Sequence, residues 1–258
     1  MTSPINFRVF SQPEQLFEAA AQEFVAAATK AVAARGSFRI ALSGGSTPRE
    51  LFALLVNRFS SLIPWDKVCF FWGDERHVPP DHADSNYRMA QEALLSRIPA
   101  NPENIFRIHA ENPDANIAAA QYEDVLKQFF HLKDREKPRF DLILLGMGSD
   151  GHTASLFPGS TALHKDASLV VANWVEKLQT YRITFTFPVL NNASEILFMV
   201  AGKDKATALK GVFDEASSAE QFPAKNVHPE SGRLVWLVGE DAAGKISDTP
   251  GAPTNAPR

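Results

Sequence analysis

The chain has 258 residues, of which 45% are apolar and 22% are charged, and its formal net charge is −4. These values are typical of a soluble domain with a substantial core, and they exclude collagen-like, low-complexity and strongly disordered chains. The slightly acidic balance argues against a protein that binds nucleic acid through a broad basic surface. It still allows one basic pocket for a small anion.

The sequence contains a single cysteine, Cys69, so no disulfide can form within the chain. Cys69 lies in the apolar run Val68–Trp72, where we expect its thiol to be buried. The sequence has no apolar run of about 18 residues that could form a membrane helix. The first residues lack the apolar core of a signal peptide. We therefore expect a cytoplasmic protein that does not bind membranes.

The spacing of apolar residues predicts helices that alternate with short strands. Phe17, Phe24 and Ala31 belong to a helical pattern over residues 14–34, which Gly36 ends. The other predicted elements, in chain order, are a strand at 38–42, a helix over 51–58, a strand at 68–72, helices at 84–97 and 114–131, strands at 140–145, 169–172, 182–187 and 196–201, a helix at 203–216 and a strand at 234–238.

This alternation predicts an α/β fold, namely a three-layer αβα sandwich around a mostly parallel, Rossmann-like sheet. No linker-like stretch interrupts the pattern, so we expect one domain over residues 1–240. Residues 241–258 contain three prolines, and Ile246 is their only large aliphatic residue. Because such a segment can bury little apolar surface, we expect it to be a flexible tail.

Three loops follow predicted strands, and in open parallel sheets ligands bind beyond the carboxyl ends of the strands. The first loop, residues 43–48, has two glycines, hydroxyl groups, Thr47 at the expected N-cap and Pro48 at the first helical position. A helix N-terminus with these neighbours favours a phosphate. The alternative is a capped turn without a ligand.

The same loop also allows a serine hydrolase. Residues 41–45 differ by one residue from the Gly-x-Ser-x-Gly elbow that holds a nucleophilic serine, and Asp141 and His152 follow Ser43 in the order that such enzymes use. The continuation Gly-Gly-Ser-Thr-Pro suits an anion better than an elbow, and it lacks the Gly-Lys-Ser/Thr of a P-loop. We therefore favour the phosphate site.

The last of the three loops begins with the Gly-x-Gly-x-x-Gly spacing of dinucleotide sites over residues 146–151. Pro158 cuts short the helix that such a site needs, and Asp166 does not end the next strand, so a dinucleotide is not favoured. The loop instead offers Asp150 and His152 on a glycine-rich backbone. A histidine can take a proton from water, and a carboxylate beside it can fix its tautomer; the alternative is a structural histidine.

The middle loop, residues 73–80, carries four ionisable groups directly after an apolar strand. Among them Arg76 could neutralise an oxyanion that develops in a reaction or clamp a sugar acid. The alternative is a solvated surface turn. Side chains of metal-binding type are available, but no His-x-x-x-His or Cys pair places two on one element, so we predict no metal. These side chains are Asp74, His77, His82, Asp150 and His152.

Three strings of residues together resemble the glucosamine-6-phosphate isomerase/6-phosphogluconolactonase family, and within it the lactonases. The strings span residues 42–48, residues 72–76 together with 78–79 and 84–86, and residues 145–158. The Gly-Met-Gly-x-Asp-Gly-His-Thr-Ala-Ser-Leu-Phe-Pro run of the third is highly specific. Further similar segments include Tyr181-Arg182-Ile183-Thr184 and Gly202-Lys203. The resemblance extends over residues 10–238, which is most of the chain.

The resemblance implies hydrolysis of 6-phospho-D-glucono-1,5-lactone to 6-phosphogluconate, the second step of the oxidative pentose phosphate pathway, without a cofactor. It implies that Arg182 and Lys203 close over the 6-phosphate. The loop that is expected to cradle this phosphate comprises Ser43, Gly44, Gly45, Ser46 and Thr47.

His152 is then expected to be the general base that activates a water molecule, with no covalent intermediate. Asp150 or Asp74 would orient its imidazole, and Arg76 would stabilise the charge on the carbonyl oxygen. The sequence leaves the choice between Asp150 and Asp74 open. The only partner we expect is the phosphosugar lactone itself, bound by a monomer.

Two alternatives remain beside the lactonase. Glucosamine-6-phosphate deaminases of the family continue after the histidine with Ile-Ala-Phe-Asn-Glu-Pro, whereas this chain has Thr153-Ala154-Ser155-Leu156-Phe157-Pro158 and no glutamate. A non-enzymatic sugar-phosphate sensor is disfavoured because the catalytic-type residues are intact and no DNA-binding module accompanies them.

Overall fold

The computed structural model describes residues 6–246, in which strands and helices alternate along the chain. The elements are β1 (Asn6–Phe10), α1 (Pro13–Arg35), β2 (Phe38–Leu42), α2 (Ser46–Leu54), β3 (Val68–Trp72), β4 (Asp74–Arg76), α3 (Asn86–Ala93), α4 (Ala115–Phe130), β5 (Leu142–Leu145), β6 (Val170–Val175), β7 (Thr180–Phe185), α5 (Phe187–Leu190), β8 (Glu195–Val200), α6 (Ala206–Phe213), β9 (Arg233–Gly239) and α7 (Glu240–Ala243).

Six strands form the main sheet in the order β1-β9-β8-β5-β2-β3, and every pair in it is parallel. Helices flank the sheet and leave no solvated face, so its strands are mostly apolar. All residues of the inner strands β5 and β8 and of the edge strand β3 are buried accordingly. The expected three-layer αβα fold with a mostly parallel sheet is confirmed.

A second, three-stranded sheet of order β4-β7-β6 lies beside the first and was not predicted. Its strand β4 falls in the segment interpreted as a loop, because three charged or polar residues carry no apolar alternation. β4 pairs antiparallel with β7 and places Asp74 opposite Thr184 and Arg76 opposite Arg182. This pairing brings the polar segment after β3 next to the segment Arg182–Thr184.

Several element boundaries differ from those predicted. The helix expected over 84–97 is α3 followed by a 3-10 turn at Leu95–Arg97, and its start is set by Ser85, whose side chain accepts a hydrogen bond from the backbone N–H of Arg88 at 3.1 Å. The helix expected over 203–216 begins as a 3-10 turn at Lys203–Lys205. β1, an edge strand that pairs with β9, was missed.

The segment after β9 differs from the expected flexible tail. Residues 240–243 form α7, and Ala242, Ala243 and Ile246 are buried. Small alanines can pack closely even where large apolar residues are few, so the start of the tail at Asp241 was wrong for residues 241–246. Residues 247–258 of the expected tail lie outside the described residues. Within 6–246, none of the helices combines the length and apolar character that a bilayer crossing requires.

Candidate active site

A cleft of about 370 Å³ opens where β2, β5 and β8 end, and β4 and β7 close one side of it. The position agrees with the general rule for open parallel sheets. The lining residues are Ser43, Gly44, Gly45, Ser46, Thr47, Pro48, Asp74, Arg76, Asn86, Gly146, Met147, Gly148, His152, Ala154, Ser155, Phe157, Lys177, Leu178, Arg182, Met199, Val200, Ala201 and Lys205.

The cleft therefore brings together the first loop, the polar residues after β3, the histidine loop and Arg182 from β7. Asp150 is not a lining residue, but it lies directly behind His152. Lys203 is exposed and does not line the cleft, whereas Lys205 does. The position that the sequence gave to Lys203 is therefore taken by Lys205, which ends the same 3-10 turn.

The first loop presents the N-terminus of α2 to the cleft. Gly45 occupies the N-cap with φ 103°, so the predicted N-cap at Thr47 was wrong, and the helix has no side-chain cap within the described residues. The backbone N–H groups of the first turn are thus left for a ligand. Gly44 packs so closely against the Asn86 amide that a Cβ at this position would collide with it.

His152 is held from two directions. Its Nδ1 lies 2.5 Å from Oδ1 of Asp150, which also accepts the backbone N–H of His152 at 3.2 Å. Its ring stacks on Phe157 with 4.1 Å between the ring centroids. When Nδ1 donates to the carboxylate, Nε2 of the neutral imidazole is the acceptor nitrogen. This is the arrangement that a general base requires.

Asp150 stays ionised beside the imidazole. Burial raises the pKa of this carboxyl group, but hydrogen bonds from His152 and Lys177 outweigh burial and lower the pKa below its usual range. Both carboxylate oxygens are used, since Oδ1 faces His152 and Oδ2 contacts Nζ of Lys177. The choice that the sequence left open therefore falls on Asp150.

Asp74 is engaged elsewhere in the cleft. Its Oδ2 accepts a hydrogen bond from the Ser155 hydroxyl at 2.7 Å, and its backbone carbonyl accepts one from the Asn86 amide at 2.9 Å. The side chain is buried. Asp74 thus ties β4 to the histidine loop and to α3, and it does not orient His152.

Arg76 and Arg182 form the basic wall of the cleft. They are directly opposed across β4 and β7, and the Nε of each is buried without a hydrogen-bond partner within residues 6–246. Burial lowers the pKa of Arg182, and the positive charge of Arg76 adds to this effect. Nη1 of Arg76 donates to the backbone carbonyl of Asp84. Two guanidinium groups side by side suit an anion with several oxygens.

Glu75 supports the site through the start of α3, and the sequence analysis did not single it out. Its buried carboxylate accepts backbone N–H groups of Arg76, Asn86 and Tyr87 at 2.7 to 2.8 Å and the Ser85 hydroxyl at 3.1 Å. Burial raises its pKa although these backbone hydrogen bonds act in the opposite direction. The carboxylate fixes the N-terminus of α3 and hence the position of Asn86.

Further cleft residues were missed as well. Asn86, Ser155 and Lys177 carry no functional pattern in isolation, although Asn86 and Ser155 lie within the strings that resemble the family. Lys177 and Leu178 come from the turn between β6 and β7, where no sequence signal pointed to the site. Within residues 6–246, no three His, Cys, Asp or Glu side chains are grouped to hold a metal ion.

The structure does not bring Ser43, Asp141 and His152 together as the triad of a serine hydrolase. Asp141 lies just before β5, where its carboxylate accepts the backbone N–H of Arg39 at 2.9 Å and pairs with Arg35. His152 follows the other end of β5 and contacts Asp150 instead. Because a strand separates Asp141 from His152, the order of the residues along the chain did not correspond to a triad in space.

Comparison with known proteins identifies the family of the chain. The sequence profile of the family described as glucosamine-6-phosphate isomerases/6-phosphogluconolactonase matches residues 11–236. The chain belongs to this family. The matched residues include all those that line the cleft.

Curated relatives are similar over most of their length. The 6-phosphogluconolactonase of Nostoc sp. is 43% identical over 218 residues, which cover 84% of this chain and 88% of the relative. The 6-phosphogluconolactonase of Chlamydia pneumoniae is 35% identical over 94% of this chain and 93% of its own. The solved structure of 6-phosphogluconolactonase from Trypanosoma brucei superposes with a TM-score of 0.85 at 28% identity, covering 95% of this chain and all of that one.

Proposed function

We propose that this chain is a carboxylic ester hydrolase that converts 6-phospho-D-glucono-1,5-lactone to 6-phosphogluconate in the oxidative pentose phosphate pathway. The observation that carries the proposal is the Asp150–His152 pair, which faces the same cleft as an uncapped helix N-terminus and two guanidinium groups. The relatives named for this activity support it. The ester bond of the substrate suits the Asp150–His152 pair. Its phosphate suits the helix N-terminus and the guanidinium groups.

The phosphate is proposed to bind at residues 43–47. The first-turn N–H groups of α2 and the hydroxyls of Ser46 and Thr47 offer donors, and the positive end of the helix favours an anion. Arg182 and Lys205 would close over the phosphate from β7 and from the segment before α6. The fixed phosphate then places the lactone ring toward His152.

The hydrolysis is proposed to use a water molecule and one base. Nε2 of His152 takes a proton from water while the water oxygen forms a bond to the lactone carbonyl carbon. The carbonyl oxygen becomes negative, and Arg76 stabilises it. The bond between the carbonyl carbon and the ring oxygen then breaks, the imidazolium returns its proton to that oxygen, and 6-phosphogluconate leaves.

A covalent intermediate is not required by this chemistry. A δ-lactone is a strained ester that hydrolyses in water unaided, so the enzyme needs only a modest acceleration. A positioned base supplies about 10²–10⁴ of the rate, and orientation and charge stabilisation add the rest. Ser43, the only nucleophile that the sequence suggested, lies in the first loop, and the residues that would form its triad are separated by β5.

The proposal is tested by assaying the purified protein against freshly generated 6-phosphogluconolactone and, separately, against glucosamine 6-phosphate. We expect turnover of the lactone above spontaneous hydrolysis and none of the amino sugar. His152→Ala, prepared in parallel, excludes a contaminating lactonase. Turnover of glucosamine 6-phosphate alone would assign the chain to the deaminase branch of the family instead.

We also propose that the protein acts as a monomer in the cytoplasm. The cleft is complete within one chain, and the single cysteine is buried and unpaired, as suits a reducing compartment. Gel filtration with light scattering tests the first statement, and cell fractionation tests the second.

A further inference from the structure

The turn between β6 and β7 reaches the cleft from the second sheet. It consists of a 3-10 turn at Glu176–Leu178 followed by Gln179, whose φ is 49°. Lys177 and Leu178 of this turn line the cleft. None of the residues of the turn belongs to the strings that resemble the family, and the proposed reaction uses none of them directly.

Lys177 contacts both groups that hold the catalytic imidazole. Its Nζ contacts Oδ2 of Asp150, whose other oxygen lies 2.5 Å from Nδ1 of His152. The same Nζ lies 4.8 Å from the ring centroid of Phe157, which stacks on His152. A single ammonium group thus touches the carboxylate partner and the aromatic partner of the base.

We propose that Lys177 is a positioning residue for the reaction, which holds Asp150 and Phe157 in place and offsets the negative charge that Asp150 presents to His152. The inference rests on the proposed function, in which His152 is the base. Lys177 itself acts through Asp150 and does not need to touch the lactone.

The physical reason lies in the two charge states of the imidazole. An unopposed carboxylate beside a histidine favours the imidazolium, which cannot accept a proton from water. An ammonium on the far oxygen makes the Asp150–Lys177 pair neutral overall, so it offsets the part of the carboxylate charge that would stabilise the imidazolium. Asp150 can then still accept the Nδ1 hydrogen and fix the tautomer, without holding the base in its inactive form.

The other charged groups that face the cleft come from different elements. They are Asp74 and Arg76 on β4, Arg182 on β7 and Lys205 before α6. Within the described residues, none of the four has a hydrogen bond to Asp150 or His152, so none of them takes the place of Lys177 at the carboxylate. All four remain in the Lys177 variants, so a change in those variants is assigned to Lys177.

A role in stability alone predicts a different result. The side chain of Lys177 is 52% exposed, and ion pairs of such exposed lysines contribute little to the free energy of unfolding. The loss of Lys177 should consequently be visible in the titration of His152 and in the rate, and much less in the melting temperature.

The test compares Lys177→Met, which keeps the length of the side chain and removes its charge, with Lys177→Arg, which keeps the charge. The pKa of His152 is measured by NMR titration of its imidazole, assigned through His152→Ala. We expect this pKa to be higher by about half a unit or more in Lys177→Met than in the natural protein. The acid limb of the kcat/KM profile should shift to higher pH by the same amount. Lys177→Arg should restore both.

Two controls complete the design. Lys137→Met removes a lysine that pairs with Glu230 outside the cleft, and it should change neither measurement. Lys177→Gln is a second neutral variant in case the methionine disturbs the turn, and circular dichroism checks that each variant is folded.

The outcomes separate the inference from the proposed function. If folded Lys177→Met shows an unchanged titration of His152 and an unchanged acid limb, the inference is overturned. A raised KM with an unchanged acid limb would also overturn it, because Lys177 would then be a substrate ligand. If the natural protein turns over no lactone, the proposed function fails. The titration of His152 would still decide whether Lys177 sets its charge state.

Discussion

Arg76 and Arg182 lie directly opposite each other in the antiparallel pairing of β4 with β7. Like charges in such positions are unfavourable in a sheet, and the pKa of Arg182 is lowered, first by burial and then by Arg76. An anion in the cleft would relieve this repulsion. The pair therefore explains how a chain with a net charge of −4 can hold a concentrated positive site.

Arg182→Ala should raise KM for the lactone by at least about tenfold, because a hydrogen bond to a charged group contributes about 1.5–3 kcal/mol. The chemical step should change much less, since the phosphate is bound equally before and during the reaction. Steady-state kinetics measure both constants. Arg97→Ala, which removes an exposed arginine bound to Asn57, is the matched control, and an unchanged KM in folded Arg182→Ala would remove Arg182 from the site.

The two lysines after Gly202 should behave differently. Lys205→Ala is expected to raise KM about tenfold or more for the same reason as the arginine, whereas Lys203→Ala should leave KM within about twofold, the range of a surface substitution. The physical reason is that Lys205 lines the cleft and Lys203 is exposed outside it. The reverse result would restore the assignment that the sequence suggested.

His152→Ala should lower kcat by at least about 10² with little change in KM, because a general base acts in the transition state and not in binding. Ser43→Ala should keep most of kcat, and a fluorophosphonate should not label the protein. Stopped-flow or pH-indicator assays give kcat after subtraction of spontaneous hydrolysis. Stoichiometric labelling of Ser43, or a normal kcat in His152→Ala, would contradict the mechanism.

Asp150 should contribute to stability in a pH-dependent way. Burial raises its pKa, but hydrogen bonds from His152 and Lys177 outweigh this, and the folded-state pKa lies below the ordinary value. A carboxylate with a lowered pKa stabilises the fold above its unfolded pKa of about 4 and loses this contribution as the pH falls through the folded pKa.

The free energy of unfolding should therefore be lower in Asp150→Asn than in the natural protein at pH 7. The difference between the two proteins should shrink progressively below about pH 4. Urea unfolding at several pH values measures it. A difference that is constant down to acid pH would mean that Asp150 stabilises the fold by packing and not by its charge.

Glu75→Gln should lower the free energy of unfolding by about 1–3 kcal/mol, the cost of leaving buried hydrogen-bonding groups unsatisfied. The carboxylate accepts hydrogen bonds on both oxygens, and the amide of glutamine can accept on only one. Denaturant unfolding measures the loss. Glu92→Gln, which removes an exposed ion pair with Arg88, should cost less than about 0.5 kcal/mol; equal effects would mean that Glu75 does not organise α3.

Much of the site could be located from the sequence because its signals are local. The apolar runs of β2, β3 and β5 identify buried parallel strands, and the polar residues that follow them must meet at one edge of the sheet. The glycines of the first loop and the Asp150–His152 pair also carry their meaning within a few residues. For this reason the three loops after β2, β3 and β5 could be predicted from the sequence as parts of one site.

Other parts depended on residues far apart in the chain. The opposition of Arg76 and Arg182 requires the pairing of β4 with β7 across about a hundred residues, and three charged residues give no strand signal. The helix at 240–243 is stabilised by close packing of alanines, which composition does not reveal.

By itself, the sequence determined the layered α/β fold, and it predicted the edge of the sheet for a ligand and His152 as the base there. Only the tertiary structure decided that Asp150 and not Asp74 holds the imidazole, that Lys205 and not Lys203 lines the cleft, and that Lys177 approaches from a separate turn. The physical reason is that strand formation follows from neighbouring apolar residues, whereas the partner of a charged side chain is set by the register and packing of distant elements.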